Sequence, residues 1–195
     1  MFLKLEGRRC LVVGAGAVAE GKISGLLDAA AKIRVVAPEA TEQVRAWAAA
    51  GQIEYLARPC EPTDLEGMFL VVAATDSHEL HENILAEARL RGVLCNVVDV
   101  PELCDFYYPA LARRGALQIA VSTSGQSPAL AQRLRKELEE QFGPEYEAWL
   151  NQLGEERAKL FAAFMDPEER KRLLHDLASA DAFKSFLRKR KRAKK

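Results

Sequence analysis

The stretch Arg9-Cys10-Leu11-Val12-Val13-Gly14-Ala15-Gly16-Ala17-Val18-Ala19 decides how this chain is read. An uninterrupted apolar run meets two glycines and opens into a segment where Ile23, Leu26 and Leu27 recur at helical spacing, so the local order is strand, tight turn, helix. In a G-x-G-x-x-A turn, Gly14 lets the chain reverse and Gly16 leaves room for a pyrophosphate to approach the backbone. Ala19 is small enough for the helix to lie close on the strand. The unpaired amides of that helix's first turn then face the phosphates. A second apolar strand, Ile33-Arg34-Val35-Val36-Ala37, follows at the distance a βαβ unit requires. Glycine serves any tight turn, so the strand-turn-helix-strand context is what points to a dinucleotide.

The end of the second strand bears on which dinucleotide. An NAD site places an acid there for the ribose hydroxyls, and here Ala37-Pro38-Glu39 follows, with Glu39 two residues late. No arginine follows directly for a 2′-phosphate, which favours NAD over NADP. Two readings of Glu39 stand, a ribose ligand and a solvated acid at a helix start. Beyond it, a helix over 42–50, a short strand over 53–57 and a turn-rich piece with Pro59 and Pro62 continue the alternation that builds a parallel sheet covered on both faces. The next strand, residues 68–74, ends at Thr75-Asp76, at the sheet edge where ligands of open α/β sheets bind. Asp76 with Glu79 also fits a capping box, and His78 and His81 in the same helix read as exposed or capping residues, since no third metal ligand is nominated nearby.

A fifth strand, Val93 to Asp99, ends in an acid before Pro101. A carboxylate there, beside the nicotinamide side of the crevice, can take up a proton as hydride leaves; an aspartate that merely turns the loop is the competing reading. After Arg113-Arg114-Gly115 one more strand, residues 116–122, leads through Thr123-Ser124-Gly125-Gln126-Ser127-Pro128 into a helix. Ser127 is a natural N-cap with Pro128 at the first helical position. Ser122, Ser124, Gly125 and Ser127 with the free helix amides make an anion seat, and Arg133, Arg135 and Lys136 lie one to two turns on. Past Gly143-Pro144 only helical patterns remain. Tyr146, Trp149, Leu150, Leu153, Leu160, Phe161 and Phe164 form an apolar stripe expected to pack on the first domain or a second subunit.

Composition bounds the function. Apolar residues make up 49% of 195, ample for a buried core. No apolar stretch approaches a membrane span and no signal peptide is apparent at the start, so a cytoplasmic protein is expected. Cys10, Cys60, Cys95 and Cys104 are scattered without a C-x-x-C pair and read as reduced, with no metal site. Formal net charge is zero, but residues 184–195 hold eight Lys or Arg and no acid. The remainder is acidic, which argues against a nucleic-acid surface, and the basic end reads as a solvated, disordered tail.

Taken in order, Val12 to Ala19 with Lys22, Ala73-Ala74-Thr75-Asp76, Cys95-Asn96-Val97-Val98-Asp99, Phe106-Tyr107-Tyr108-Pro109-Ala110 and Ser122 to Pro128 resemble the precorrin-2 dehydrogenases of sirohaem synthesis, including the amino-terminal half of sirohaem synthase. The resemblance spans nearly the whole chain. It implies a homodimer with an α/β Rossmann-like parallel sheet, a small α+β dimerisation domain and a helical carboxyl-terminal domain. Placed on this chain, these are residues 1–112, 113–142 and 143–183, before the basic tail 184–195. It implies oxidation of precorrin-2, a tetrapyrrole (porphyrin-pathway) substrate, to sirohydrochlorin by NAD, with the cofactor contacts falling on Ala17, Val18, Pro38 and Glu39. The catalytic aspartate falls on Asp99. Thr75 joins the expected cofactor contacts with Gly14 and Gly16; Asn96, Ser122, Ser124, Gly125 and Ser127 are the expected substrate contacts. In some members the same aspartate serves as sirohydrochlorin ferrochelatase, and a serine that can be phosphorylated in the fused enzyme corresponds to Thr123. The methyltransferase half of the fused enzymes has no counterpart here, so methylation is expected elsewhere. The rival from another class is a nucleotide-sensing Rossmann module of the kind that regulates potassium uptake, which needs neither Asp99 nor the anion seat.

Overall fold

The computed structural model describes residues 2–163 and 166–193. It divides into two compact units, Met1–Tyr108 and Pro109–Lys195. In the first, β1 (Arg9–Val13), β2 (Lys32–Val36), β3 (Glu54–Leu56), β4 (Leu70–Ala73) and β5 (Leu94–Val97) form one sheet in the order β3-β2-β1-β4-β5, every neighbouring pair parallel. Helices α1 (Ala17–Asp28), α2 (Glu42–Ala49) and α3 (His78–Arg91) make the crossovers. The strands lack polar alternation because both sheet faces are buried. Successive β1 side chains point opposite ways. Cys10 and Val12 join Ala19, Ile23 and Leu26 of α1 and Val44 of α2 in one core. Leu11 and Val13 join Ile84, Leu85 and Ala88 of α3 in the other.

The chain runs outward from β1 through β2 to β3, then returns to place β4 on the other side of β1. The reversal of direction lies at β1/β4, so the loops leaving those strands part around a crevice at their carboxyl ends. Between β3 and β4, a 3-10 turn at Pro62–Leu65 is held by Asp64. Its carboxylate is 2% exposed and accepts from both Arg58 terminal nitrogens (2.8 and 2.7 Å) and from the Glu61 amide (2.9 Å). Those donors, the Arg58 guanidinium first, hold its pKa below the ordinary carboxylate value against the opposing effect of burial.

The second unit opens with an antiparallel hairpin, β6 (Ala110–Arg114) and β7 (Leu117–Val121), followed by α4 (Pro128–Gln141), α5 (Glu145–Ala162), α6 (Pro167–Leu177) and α7 (Ala180–Ala193). Strand β6 was not anticipated, and residues 109–112, placed with the first domain from sequence, belong to this unit. Arg114 at the end of β6 donates to the carbonyls of Phe142 (2.8 Å) and Glu139 (2.6 Å), satisfying acceptors that the end of α4 leaves open. The aromatic stripe of α5 finds a partner within the same unit: the Phe183 ring lies 4.5 Å from Tyr146 and 4.6 Å from Trp149. Phe183 belongs to α7, and so does most of the basic end. The disordered tail expected over 184–195 is therefore corrected, as far as it is described, to a helix anchored by aromatic rings. Phe164, Lys194 and Lys195 lie outside the described residues.

Candidate active site

The glycine turn is built by two different requirements. Gly14 has φ +104, and a Cβ there would stand 2.1 Å from the Ala74 carbonyl oxygen, so the loops after β1 and β4 touch at the crevice only because this residue has no side chain. Its amide donates to Val36 O (3.0 Å), tying the turn to β2 as well. Gly16 is the N-cap of α1, makes no side-chain cap, and has nothing within 4 Å of where a Cβ would be. The first bond back to Gly16 O comes from Glu20 (3.1 Å), so the amides of Ala17, Val18 and Ala19 lack partners in their own helix. Open space over a helix amino terminus without a side-chain cap fits a dinucleotide phosphate. Val18 is 56% exposed on the same first turn.

The loop after β2 is tied to this turn by the Thr41 amide, which donates to Ala15 O (3.1 Å), while the Tyr55 hydroxyl fixes Ala37 O at 3.0 Å. Pro38 and Glu39 are exposed between these two anchors. From α2 the Arg45 guanidinium reaches back to Ala40 O, so a cation does stand near Glu39, a feature hidden in the sequence because it arrives from the next helix.

Thr75, at the end of β4, is bound twice by His81: its carbonyl and its hydroxyl oxygen each lie 2.9 Å from His81 Nε2. A carbonyl can only accept, so Nε2 carries the proton, and the hydroxyl hydrogen of Thr75 is left to donate elsewhere. His81 is 5% exposed, which corrects its reading as an exposed or capping residue. Of these two histidines it is His78 that is exposed, 3.5 Å from Glu82. The helix cap is likewise Ser77, which accepts from the Leu80 amide (3.3 Å), in place of Asp76 with Glu79.

Asp99 stands two residues beyond β5, exposed, at φ +62. Aspartate is among the few non-glycine residues that visit this left-handed region, at some cost in strain. The loop that follows is pinned along the outer edge of β5. The Asp105 carboxylate accepts from the Cys95 amide (2.9 Å), and the Asp105 amide donates to Cys95 O (2.8 Å). Asn96 is 6% exposed and its amide nitrogen donates to Phe106 O (2.8 Å), which helps to hold this loop to β5. The loop ends at Tyr108, whose ring carries the Lys22 ammonium 4.1 Å from its centroid. Burial lowers the Lys22 pKa, and the negative charge of Asp99 opposes that. The first unit thus gathers Gly14, Gly16, Ala17, Val18, Pro38, Glu39, Thr75 and Asp99 at the carboxyl edge of one sheet, and adds Lys22, seated on Tyr108 and within the field of Asp99.

Within the second unit the serine-rich turn closes on itself. Ser122 Oγ accepts from the Ser124 amide (3.2 Å), Thr123 Oγ1 from the Ser127 amide (3.1 Å) and Ser127 Oγ from the Leu130 amide (3.3 Å). Ser124 and Gly125 both have positive φ. A hydroxyl that accepts still carries its own proton, so these groups remain donors. Arg133 and Arg135 pair with Glu137 and Glu139 on their own helix. Among the described residues, no three His, Cys, Asp or Glu side chains are grouped to hold a metal, and no helix is long and apolar enough to cross a membrane.

Residues 1–110 match the family described as NAD(P)-binding, and residues 114–141 match one described as sirohaem biosynthesis protein, central. The chain belongs to this NAD(P)-binding family, with the sirohaem-synthesis central region attached. It is 42% identical to the siroheme synthase of Nitrosococcus oceani over 139 residues, 71% of this chain and 30% of that protein. With the siroheme synthase of Thioalkalivibrio sulfidiphilus it shares 37% identity over 187 residues, 96% of this chain and 38% of that protein. The chain therefore spans about a third of the length of these relatives. Among solved structures, SirC, a precorrin-2 dehydrogenase, superposes with a TM-score of 0.76 at 28% identity, covering 92% of this chain and 89% of the other. The family resemblance and the fold class expected from the sequence are borne out.

Proposed function

We propose that this chain oxidises precorrin-2 to sirohydrochlorin in sirohaem synthesis, with NAD as hydride acceptor and Asp99 as the group that receives the accompanying proton. The observation that carries this is the pairing, within one unit, of a glycine turn open over Gly16 with an exposed carboxylate held at φ +62 past the end of β5. The similarity to SirC and to siroheme synthases supports the substrate, and the central-region match at 114–141 speaks against the nucleotide-sensing module.

NAD, held by its pyrophosphate at this turn, would supply a two-electron acceptor. The residues of the chain do the rest. The amides of Ala17 and Val18 bind phosphate, Glu39 accepts from ribose hydroxyls, and the Thr75 hydroxyl donates at the crevice. Precorrin-2 loses two hydrogens: one departs with its electron pair, and the ring system left behind is acidic, so the second departs as a proton to the Asp99 carboxylate. Ser122, Ser124, Gly125 and Ser127 are proposed to orient substrate carboxylates through their hydroxyl and amide donors. Four free thiols fit the reducing cytoplasm proposed for this chain, and the homodimer is proposed from the family resemblance alone.

The test is an absorbance assay with precorrin-2 and NAD, repeated with NADP because of Arg45, then with Fe2+ as co-substrate to read ferrochelatase activity. Asp99→Asn is the informative variant, since asparagine tolerates the same backbone. Turnover is expected to fall about 10²–10⁴-fold with NAD affinity within about twofold of wild type. A variant that keeps full turnover sinks the assignment of the base.

A further inference from the structure

We propose that Lys22 is a carboxylate-binding residue that seats the polyacid substrate beside Asp99. The inference rests on the function proposed above and adds a group that the glycine motif does not call for.

The geometry is specific. Lys22 lies one helical turn beyond Val18 on α1, so its stem leaves the face that also presents the exposed Val18. Its ammonium is parked on the face of Tyr108, 4.1 Å from the ring centroid, and Tyr108 is in turn 5.7 Å from Phe106. Both aromatics belong to the loop that Asp105 and Asn96 pin to β5, so the ring is a fixed platform for the cation. A cation on an aromatic face has exchanged part of its water shell for a quadrupole that neutralises no charge. Burial accordingly depresses its pKa, and what offsets the loss is the field of the Asp99 carboxylate. A partly dehydrated ammonium at a crevice is a good carboxylate partner, because much of the desolvation cost of pairing has already been met by the fold.

The chemistry also calls for such a group. A substrate bearing carboxylates around its rim approaches a base that is itself a carboxylate, and Glu102 and Asp105 lie on the same loop. Like charges brought together in a low-dielectric crevice repel. Lys22, in electrostatic reach of Asp99, compensates that repulsion where the ring must come close. The expected signature is loss of substrate affinity greater than loss of turnover.

The test uses the full chain with Lys22→Met, Lys22→Arg and Tyr108→Leu. Binding of uroporphyrin, a porphyrin with carboxylates around its rim, is followed by fluorescence without NAD, beside steady-state kinetics with precorrin-2 and NAD affinity. Lys22→Met is expected to weaken porphyrin binding and raise KM about tenfold, by more than kcat falls, with NAD affinity unchanged. Lys22→Arg is expected to restore most of the loss, since a guanidinium also stacks on the ring and binds carboxylate. Tyr108→Leu, which keeps the cation and removes its platform, is expected to give an intermediate loss and covers the case in which Lys22→Met fails to fold. Porphyrin affinity equal to wild type in a folded Lys22→Met protein overturns the proposal, as does a fall in kcat with KM unchanged. The outcome is separable from that of Asp99: unimpaired turnover in Asp99→Asn with weakened porphyrin binding in Lys22→Met rejects the base and keeps the carboxylate seat.

Discussion

The two glycines of the turn look interchangeable in a motif and are not. Gly14 is required by the protein itself, because its positive φ and the Ala74 carbonyl leave no place for a methyl group. Gly14→Ala should cost at least about 2–3 kcal/mol in urea unfolding, from backbone strain plus displacement of the loop after β4. Gly16 is required by the ligand, since a side chain there meets no protein atom. Gly16→Val should therefore melt close to wild type yet weaken NAD binding by roughly 100-fold or more, measured by calorimetry. If instead both variants lose stability alike, Gly16 is structural. The spacing announced the pair, but not the division of labour, which depends on what each missing Cβ would touch. The position of Asp99 past the end of an apolar strand was legible, whereas its left-handed backbone was not. His81 was misread because helical spacing alone does not tell which flank of α3 faces the end of β4.

At the scale of elements, what the sequence displayed as a turn-rich piece around Pro59 and Pro62 is an organised cap. Asp64 gathers Arg58 and the Glu61 amide, and no hydrophobic period betrays such an arrangement. Removing its charge with Asp64→Asn should cost about 1–3 kcal/mol, less than for a fully enclosed pair because the Arg58 side chain is 36% exposed. The carboxylate pKa is lowered in the folded state, so its contribution is complete above the unfolded value near about 4 and disappears as pH falls through the folded one. The gap in melting temperature between wild type and Asp64→Asn should thus be constant at neutral pH and close below about pH 4. A gap that persists unchanged in acid would mean that packing, and not charge, is what the variant loses. Parallel strands and their helices were readable because both sheet faces are apolar. Strand β6 was hidden because Arg113 and Arg114 interrupt its pattern, and Arg114 is spent on capping α4.

For the molecule as a whole, the division after Tyr108 separates a dinucleotide-binding unit, which holds both hydrophobic cores, from a hairpin-and-helix unit in which Ala112 and Ala131 are the buried apolar residues among those described. The basic end belongs to the second through Phe183 and Phe186 of α7. Charge composition suggested a tail because eight cations outweigh two aromatic anchors, Phe183 and Phe186, that lie three residues apart. Deleting residues 184–195 removes Phe186 and should lower the thermal transition of the second unit by several degrees, about 1–3 kcal/mol of lost packing. NAD should continue to raise the melting of the first unit in the truncated protein. A truncated chain with an unchanged melting profile would return these residues to the status of an appendage.

The strap that Asp105, Asn96 and Cys104 draw along β5 has one more effect, on how the protein behaves in a crowd. Outward-facing amides and carbonyls at the rim of a sheet invite a strand from a neighbour, and here the bonds from Asp105 to Cys95 and from Cys104 to Val97 already occupy that flank. At the opposite rim, β3 offers only three residues. A sheet sealed on one margin and brief on the other has little with which to recruit a neighbour's strand, so high concentration should not drive its first unit into edge-to-edge chains.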